Sequence, residues 1–145
     1  MLRHKGSPLK ILVMGLPGAG KTALTHALAP MLGAVWFSGD EVRAALSKDL
    51  GFTLADWIEQ ARRMGWLCDC VNKAGLVAIA DFVCPTPETR EAFGPAFVVW
   101  VDRINESPFA DTNRLFTPPD RFDIRVSPDG DPSLWAKRIC SALEQ

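Results

Sequence analysis

Several features that would assign this chain to a class at once are missing. Its four cysteines, Cys68, Cys70, Cys84 and Cys140, include no C-x-x-C pair, which argues against a paired-thiol framework and for free thiols buried in a reducing compartment. No apolar run approaches the roughly 18 residues that cross a bilayer, and no signal-peptide pattern opens the sequence. A cytoplasmic protein with no membrane partner is therefore expected. Neither sign of charge is in excess: the formal net charge is −1, so there is no global mark of a nucleic-acid binder, although a small local basic site would not show in the sum. Repeats and low-complexity tracts are absent. The sequon Asn105-Glu106-Ser107 is treated as chance, since no secretory signal accompanies it.

What is present is an ordinary globular composition, 48% hydrophobic and 23% charged over 145 residues. That length makes residues 1–145 one domain, long enough to bury a core. Met1 to Pro8 reads as a loose basic leader with no assigned role.

One stretch organises the rest. Gly15-Leu16-Pro17-Gly18-Ala19-Gly20-Lys21-Thr22 fits the phosphate-binding pattern G-x-x-x-x-G-K-[ST] at every fixed position. The apolar run 10–14 before it predicts a buried strand. Residues 21–32 after it predict a helix, with Ala23, Leu24, Ala27, Leu28 and Met31 at helical spacing. In that context the glycines turn backbone N–H groups toward a polyphosphate and the helix N-terminus adds partial positive charge. Gly15, Pro17, Gly18, Ala19, Gly20, Lys21, Thr22 and Ala23 are the expected nucleotide contacts, with Lys21 on the phosphates and the Thr22 hydroxyl on Mg²⁺.

Further strands are expected at 34–37, 76–80, 96–101 and 122–126, the last at an edge. Two of them end in a carboxylate. Asp40, just past the second strand, belongs beside the phosphate loop, because ligands collect at the carboxyl ends of parallel strands. It is expected to receive the acceptor proton or hold a magnesium-bound water; capping the helix 41–46 is the plainer role. Asp81, after the third strand, stands where a Walker B-type acid would hold Mg²⁺, with a salt bridge as the alternative. Thr53 and Asp56 predict a reciprocal cap on a long helix 54–73, whose buried stripe is Ile58, Ala61, Met64, Cys68 and Val71. Trp57 and Trp66 on it are read as core or groove packing more readily than as stacking platforms. Arg43, Arg62, Arg63 and Arg90 are candidate anion contacts or solvated charges. The polar stretch 102–121, with Arg103 and Arg114, predicts a lid whose arginines close over a transferring phosphoryl group; a plain surface connection is the alternative. Asp131 and Pro132 open a last helix. Five strands alternating with helices predict a three-layer α/β domain with a mainly parallel sheet.

Residues 10 to about 94 resemble the adenylylsulfate (APS) kinase family of P-loop kinases. Gly39-Asp40-Glu41-Val42-Arg43, then Leu46, then Asp49-Leu50-Gly51-Phe52 look like its G-D-x-[IV]-R…L…D-L-G-F signature. Asp56, Glu59, Arg62 and Arg63 fall on its D-x-x-E-x-x-R-R pattern. The resemblance implies a nucleoside-kinase-like P-loop NTPase fold, ATP and Mg²⁺ as cofactors, and transfer of the γ-phosphoryl group to a hydroxyl. It makes Asp40 the acid beside the acceptor, Arg43 an anion contact and Phe52 a ring stacked on the acceptor base; family members are often homodimers.

The departures lie on the acceptor side. Trp57 and Gln60 stand where the family has an arginine and an asparagine that help hold adenylylsulfate. Cys84-Pro85-Thr86-Pro87 replaces S-P-[FY]-R, and the lid is short. This shortened form is similar to bacteriophage kinases that phosphorylate 5-hydroxymethyluracil in DNA, which would place it in the host cytoplasm. The preferred acceptor is accordingly a hydroxymethylated pyrimidine in DNA, with Trp57 or Phe52 stacking on a displaced base. Adenylylsulfate is the alternative, and a non-catalytic nucleotide-binding switch is the second.

Overall fold

A computed structural model describes residues 9–144 of the chain; the expected leader lies outside them. The elements, in order, are β1 (Lys10–Met14), α1 (Lys21–Leu32), β2 (Val35–Ser38), α2 (Gly39–Ala45), α3 (Leu54–Lys73), β3 (Ala78–Asp81), α4 (Pro87–Phe93), β4 (Phe97–Val101), α5 (Ala110–Leu115), β5 (Ile124–Val126) and α6 (Pro132–Leu143). The five strands form one sheet in the order β2-β3-β1-β4-β5, and every pairing is parallel.

The layers follow from the two-residue period of the central strand. Ile11 and Val13 point to one face, where α1 and α6 supply Leu24, Leu28, Leu32, Trp135 and Ile139. Leu12 and Met14 point to the other, where α3 and α4 supply Ala61, Met64, Cys68 and Phe93. A strand covered on both faces reads as one continuous apolar run, which is why β1 is fully buried. On α1 the buried stripe is Leu24, Thr25, Leu28, Ala29 and Leu32. Ala23 and Met31, expected in the stripe, are exposed: spacing fixes a face only to within one residue, and Thr25 is admitted because its hydroxyl donates to the Lys21 carbonyl at 2.8 Å.

Several element boundaries differ by one or two residues from those expected. β2 and β3 begin and end later than expected, so Asp81 is the last residue of its strand, paired in register with Val13 and Ser38. α2 begins at Gly39, and Asp40 lies in its first turn. The cap position is Ser38, so the plainer role considered for Asp40 does not apply. β5 is reduced to three residues at the sheet edge. The Thr53–Asp56 capping box is present, with both reciprocal bonds at 3.2 Å, and Asp131 caps α6 through the Leu134 N–H at 2.8 Å. All four cysteines are free, Cys70 being half-buried and the rest buried. No helix among the described residues is long and apolar enough to cross a membrane.

Candidate active site

The loop between β1 and α1 turns where only glycine fits comfortably. Gly20 has φ +102°, and a Cβ on Gly15 would stand 2.5 Å from the Val101 carbonyl oxygen. The Ala19 N–H donates to the Leu16 carbonyl at 3.1 Å. Lys21, the first residue of α1, folds back over the loop and donates from Nζ to the same carbonyl at 2.9 Å. Its burial pulls its pKa below the ordinary lysine value, opposed by the charges of Asp81 and Asp40. Both strand-end acids therefore act on the loop lysine.

Asp81 is 4% exposed. The Thr22 hydroxyl donates to its Oδ2 at 3.4 Å, and burial pushes its carboxyl up to about 6, with Lys21 pulling the other way. Among the described residues it forms no ion pair, which removes the salt-bridge alternative. One hydroxyl and one carboxylate do not make a metal cage, and no cluster of three His, Cys, Asp or Glu side chains exists among the described residues. This donor set fits Mg²⁺, which keeps several waters and shares phosphate oxygens. Thr22 and Asp81 would hold it, and it would supply charge neutralisation at the phosphates.

Asp40 is exposed at the start of α2, one strand away from the loop through β3. Beneath it Gln60 is buried and donates from Nε2 to the Gly39 carbonyl at 3.4 Å; its Oε1 has no partner among the described residues. Gln60 thus supports the turn that carries Asp40. Arg43 donates to the Gly51 carbonyl at 2.9 Å, with its guanidinium 4.5 Å from the Phe52 ring centroid and 4.9 Å from that of Trp57. Phe52 is 72% exposed and Trp57 is 7% exposed. Only Phe52 is open to a stacked base. Trp57 is closed off by Arg43 and Phe52: it packs, as its place on α3 suggests, and does not offer the stacking face that a displaced base would need.

The remaining arginines divide. Arg62 and Arg63 both bind Glu59, and Arg63 also binds Asp49 at 2.8 and 2.9 Å; Arg63 thereby braces the 49–52 turn against α3, while Arg62 pairs within the helix. With Leu46, Trp66 and Leu67 they line a separate surface groove of about 300 Å³, in which Trp66 is exposed. Arg103 lies across the phosphate loop, its Cδ 4.0 Å from where a Cβ on Gly20 would be, and donates to the Pro128 carbonyl at 3.3 Å. Ile104 makes the equivalent approach to Gly18. Nothing in the sequence singles out Ile104 beyond its place directly after Arg103, three residues past the end of β4. Arg114 sits on α5, exposed and ion-paired with Asp111. Arg90 binds the Cys84 and Thr117 carbonyls.

A phosphate loop after the central strand of a parallel sheet, with two acids at neighbouring strand ends, defines a P-loop protein of the nucleoside-kinase type. The comparisons narrow this. The family model for adenylylsulphate kinase matches residues 7–98, and the chain belongs to that family. It is 41% identical over 101 residues to an adenylyl-sulfate kinase of Shewanella oneidensis, covering 66% of this chain and 49% of that one. The chain thus spans about half the length of the curated relatives it matches. Among solved structures it is similar in fold to a Mycobacterium tuberculosis APS kinase in complex with AMPPNP and APS, at TM-score 0.83 and 22% identity over 96% of this chain and 99% of that one. A gluconokinase from Sinorhizobium meliloti shares the fold at TM-score 0.71 and 15% identity, covering 99% and 94%.

Proposed function

We propose that the chain is an ATP- and Mg²⁺-dependent kinase that transfers the γ-phosphoryl group to the hydroxyl of a nucleotide-type acceptor, with adenylylsulfate placed first. This reverses the order of acceptors expected from sequence. The curated relatives near 40% identity are adenylyl-sulfate kinases, which supports adenylylsulfate over a DNA base. The observation that carries the kinase reading is the convergence of Lys21, Thr22 and Asp81 with an exposed Asp40 on the acceptor side.

In this reading the loop N–H groups and Lys21 hold the triphosphate and Thr22 with Asp81 orders Mg²⁺. Asp40 accepts the acceptor's hydroxyl proton as its oxygen bonds to the γ-phosphorus and the bond to the β-phosphate oxygen breaks. Arg103 steadies the nucleotide at the loop, and Arg114 leaves Asp111 to meet developing charge. Phe52 and Arg43 receive the acceptor; the homodimer implied by the family resemblance belongs to the same reading.

A hydroxymethylated pyrimidine in DNA is kept as a second reading on one observation. Trp57 is buried where the family has an arginine, so an acceptor with a phosphosulfate loses one cationic partner. The test offers γ-labelled ATP with adenylylsulfate and, in parallel, duplex DNA containing 5-hydroxymethyluracil. Label in the small nucleotide supports the first acceptor, label in DNA the second, and ATP turnover with no labelled product refutes the kinase reading in favour of a nucleotide-binding switch.

A further inference from the structure

The lid predicted at 102–121 is attached at both ends. At its start Arg103 and Ile104 lie against the phosphate loop. Within it, Asn113 accepts from the Ser107 N–H and hydroxyl at 2.9 and 2.6 Å and donates to the Ser107 carbonyl at 2.8 Å, tying α5 to the turn before it. Its far end is held by a residue of another element. Arg90, on α4, donates from Nε to the Cys84 carbonyl at 3.2 Å and from Nη2 to the Thr117 carbonyl. Its guanidinium carbon is 5.9 Å from the Phe116 ring centroid, and the Thr117 N–H donates to the Pro85 carbonyl at 2.7 Å.

Cys84 bears on the same contact. It is the one non-glycine residue among those described with positive φ, at +48°. For an L-residue that conformation is unfavourable, and it persists only where surroundings over-determine it. Here the thiol is fully buried and the carbonyl is turned onto Arg90. The loop that begins three residues after Asp81 and the C-terminal end of the lid are thus one piece, joined by the Thr117–Pro85 backbone hydrogen bond and by a charged side chain that is only half-buried.

We propose that Arg90 is a positioning residue for phosphoryl transfer: it fastens the end of the lid to the loop after β3 and so sets where α5 and Arg114 close, without touching either substrate. The kinetic consequence rests on the kinase reading, whereas the clamp does not, so two measurements separate them. Amide hydrogen exchange on the whole ligand-free chain reads the clamp. Arg90→Ala should speed exchange at 109–121 by about tenfold or more, as loss of hydrogen bonds from a charged donor implies, and leave β1 and α1 unchanged. Phe116→Ala, which removes the ring from the other side, should give the same local pattern if the Arg90 variant fails to fold. Steady-state transfer to the acceptor that takes label reads the consequence. Arg90→Ala should lower kcat by about tenfold with KM for ATP within about twofold, and Arg90→Lys should restore part of it. Unchanged exchange at 116–121, a rise spread over all elements, or local loosening with normal kcat would each overturn the proposal.

Discussion

Thr22 Oγ1 and Asp81 Oδ2 meet at 3.4 Å although 59 residues separate them in the chain. The pairing arises because β1 and β3 are register neighbours, Val13 opposite Asp81, and α1 starts just beyond the turn that follows β1. If the two side chains share one ion, their removals are not independent. Thr22→Val and Asp81→Asn should each lower transfer by about a hundredfold, and the double variant should fall well short of the product. Initial rates over a range of Mg²⁺ concentration check this.

The same carboxylate makes stability fall with pH. Its folded pKa is raised from the ordinary 3.8 to about 6 by burial, so between those values the folded state binds more protons than the unfolded one and stability declines as pH rises. Above pH 6 the charged form costs about 1–3 kcal/mol in the absence of Mg-ATP. Asp81→Asn should therefore raise Tm at pH 7.5 while lowering transfer by the same hundredfold, with the gain in Tm vanishing near pH 4. Thermal melts of both proteins across that window, without ligand, check the sign.

Phe52 and Trp57 touch, with ring centroids 6.0 Å apart, yet their truncations should differ in kind. Phe52→Ala, at an exposed position, should raise KM for the acceptor by about tenfold and leave Tm nearly unchanged. Trp57→Ala should cost about 3 kcal/mol or more of stability, as for other buried large-to-small changes. Denaturant midpoints and acceptor titrations together separate the two.

Gly39 links the acids through backbone packing. A Cβ there would lie 2.6 Å from the Phe82 Cβ and 3.3 Å from the Asp81 carbonyl oxygen. Gly39→Ala should destabilise by about 1–3 kcal/mol and, by pushing the first turn of α2, lower kcat more than it weakens ATP binding. Equilibrium unfolding and a binding isotherm for Mg-ATP check both parts.

The donor half of this site was legible in sequence because its signals are local. The loop, the strand before it and the helix after it are contiguous, and apolar runs ending in an acid point to strand ends wherever a parallel sheet forms. The acceptor half depends on contacts the sequence does not display. For Trp57 the sequence leaves both packing and stacking open, and only the cover of Arg43 and Phe52 decides for packing. Arg62 and Arg63 look free until Glu59 and Asp49 claim them. Arg90 finds its partner 27 residues away, beyond the reach of any periodicity. α5 was unforeseen for a related reason: it buries no side chain, so it leaves no apolar pattern to read.

The most direct test compares the wild-type chain with Asp40→Asn in transfer of γ-labelled phosphate to the acceptor that takes label, alongside Mg-ATP binding. The account predicts a loss in kcat of about a hundredfold or more, the range for removing a general base, with the Kd for ATP unchanged within about twofold. An Asp40→Asn protein with full transfer activity would contradict it, because the acceptor proton would then leave without the Asp40 carboxylate.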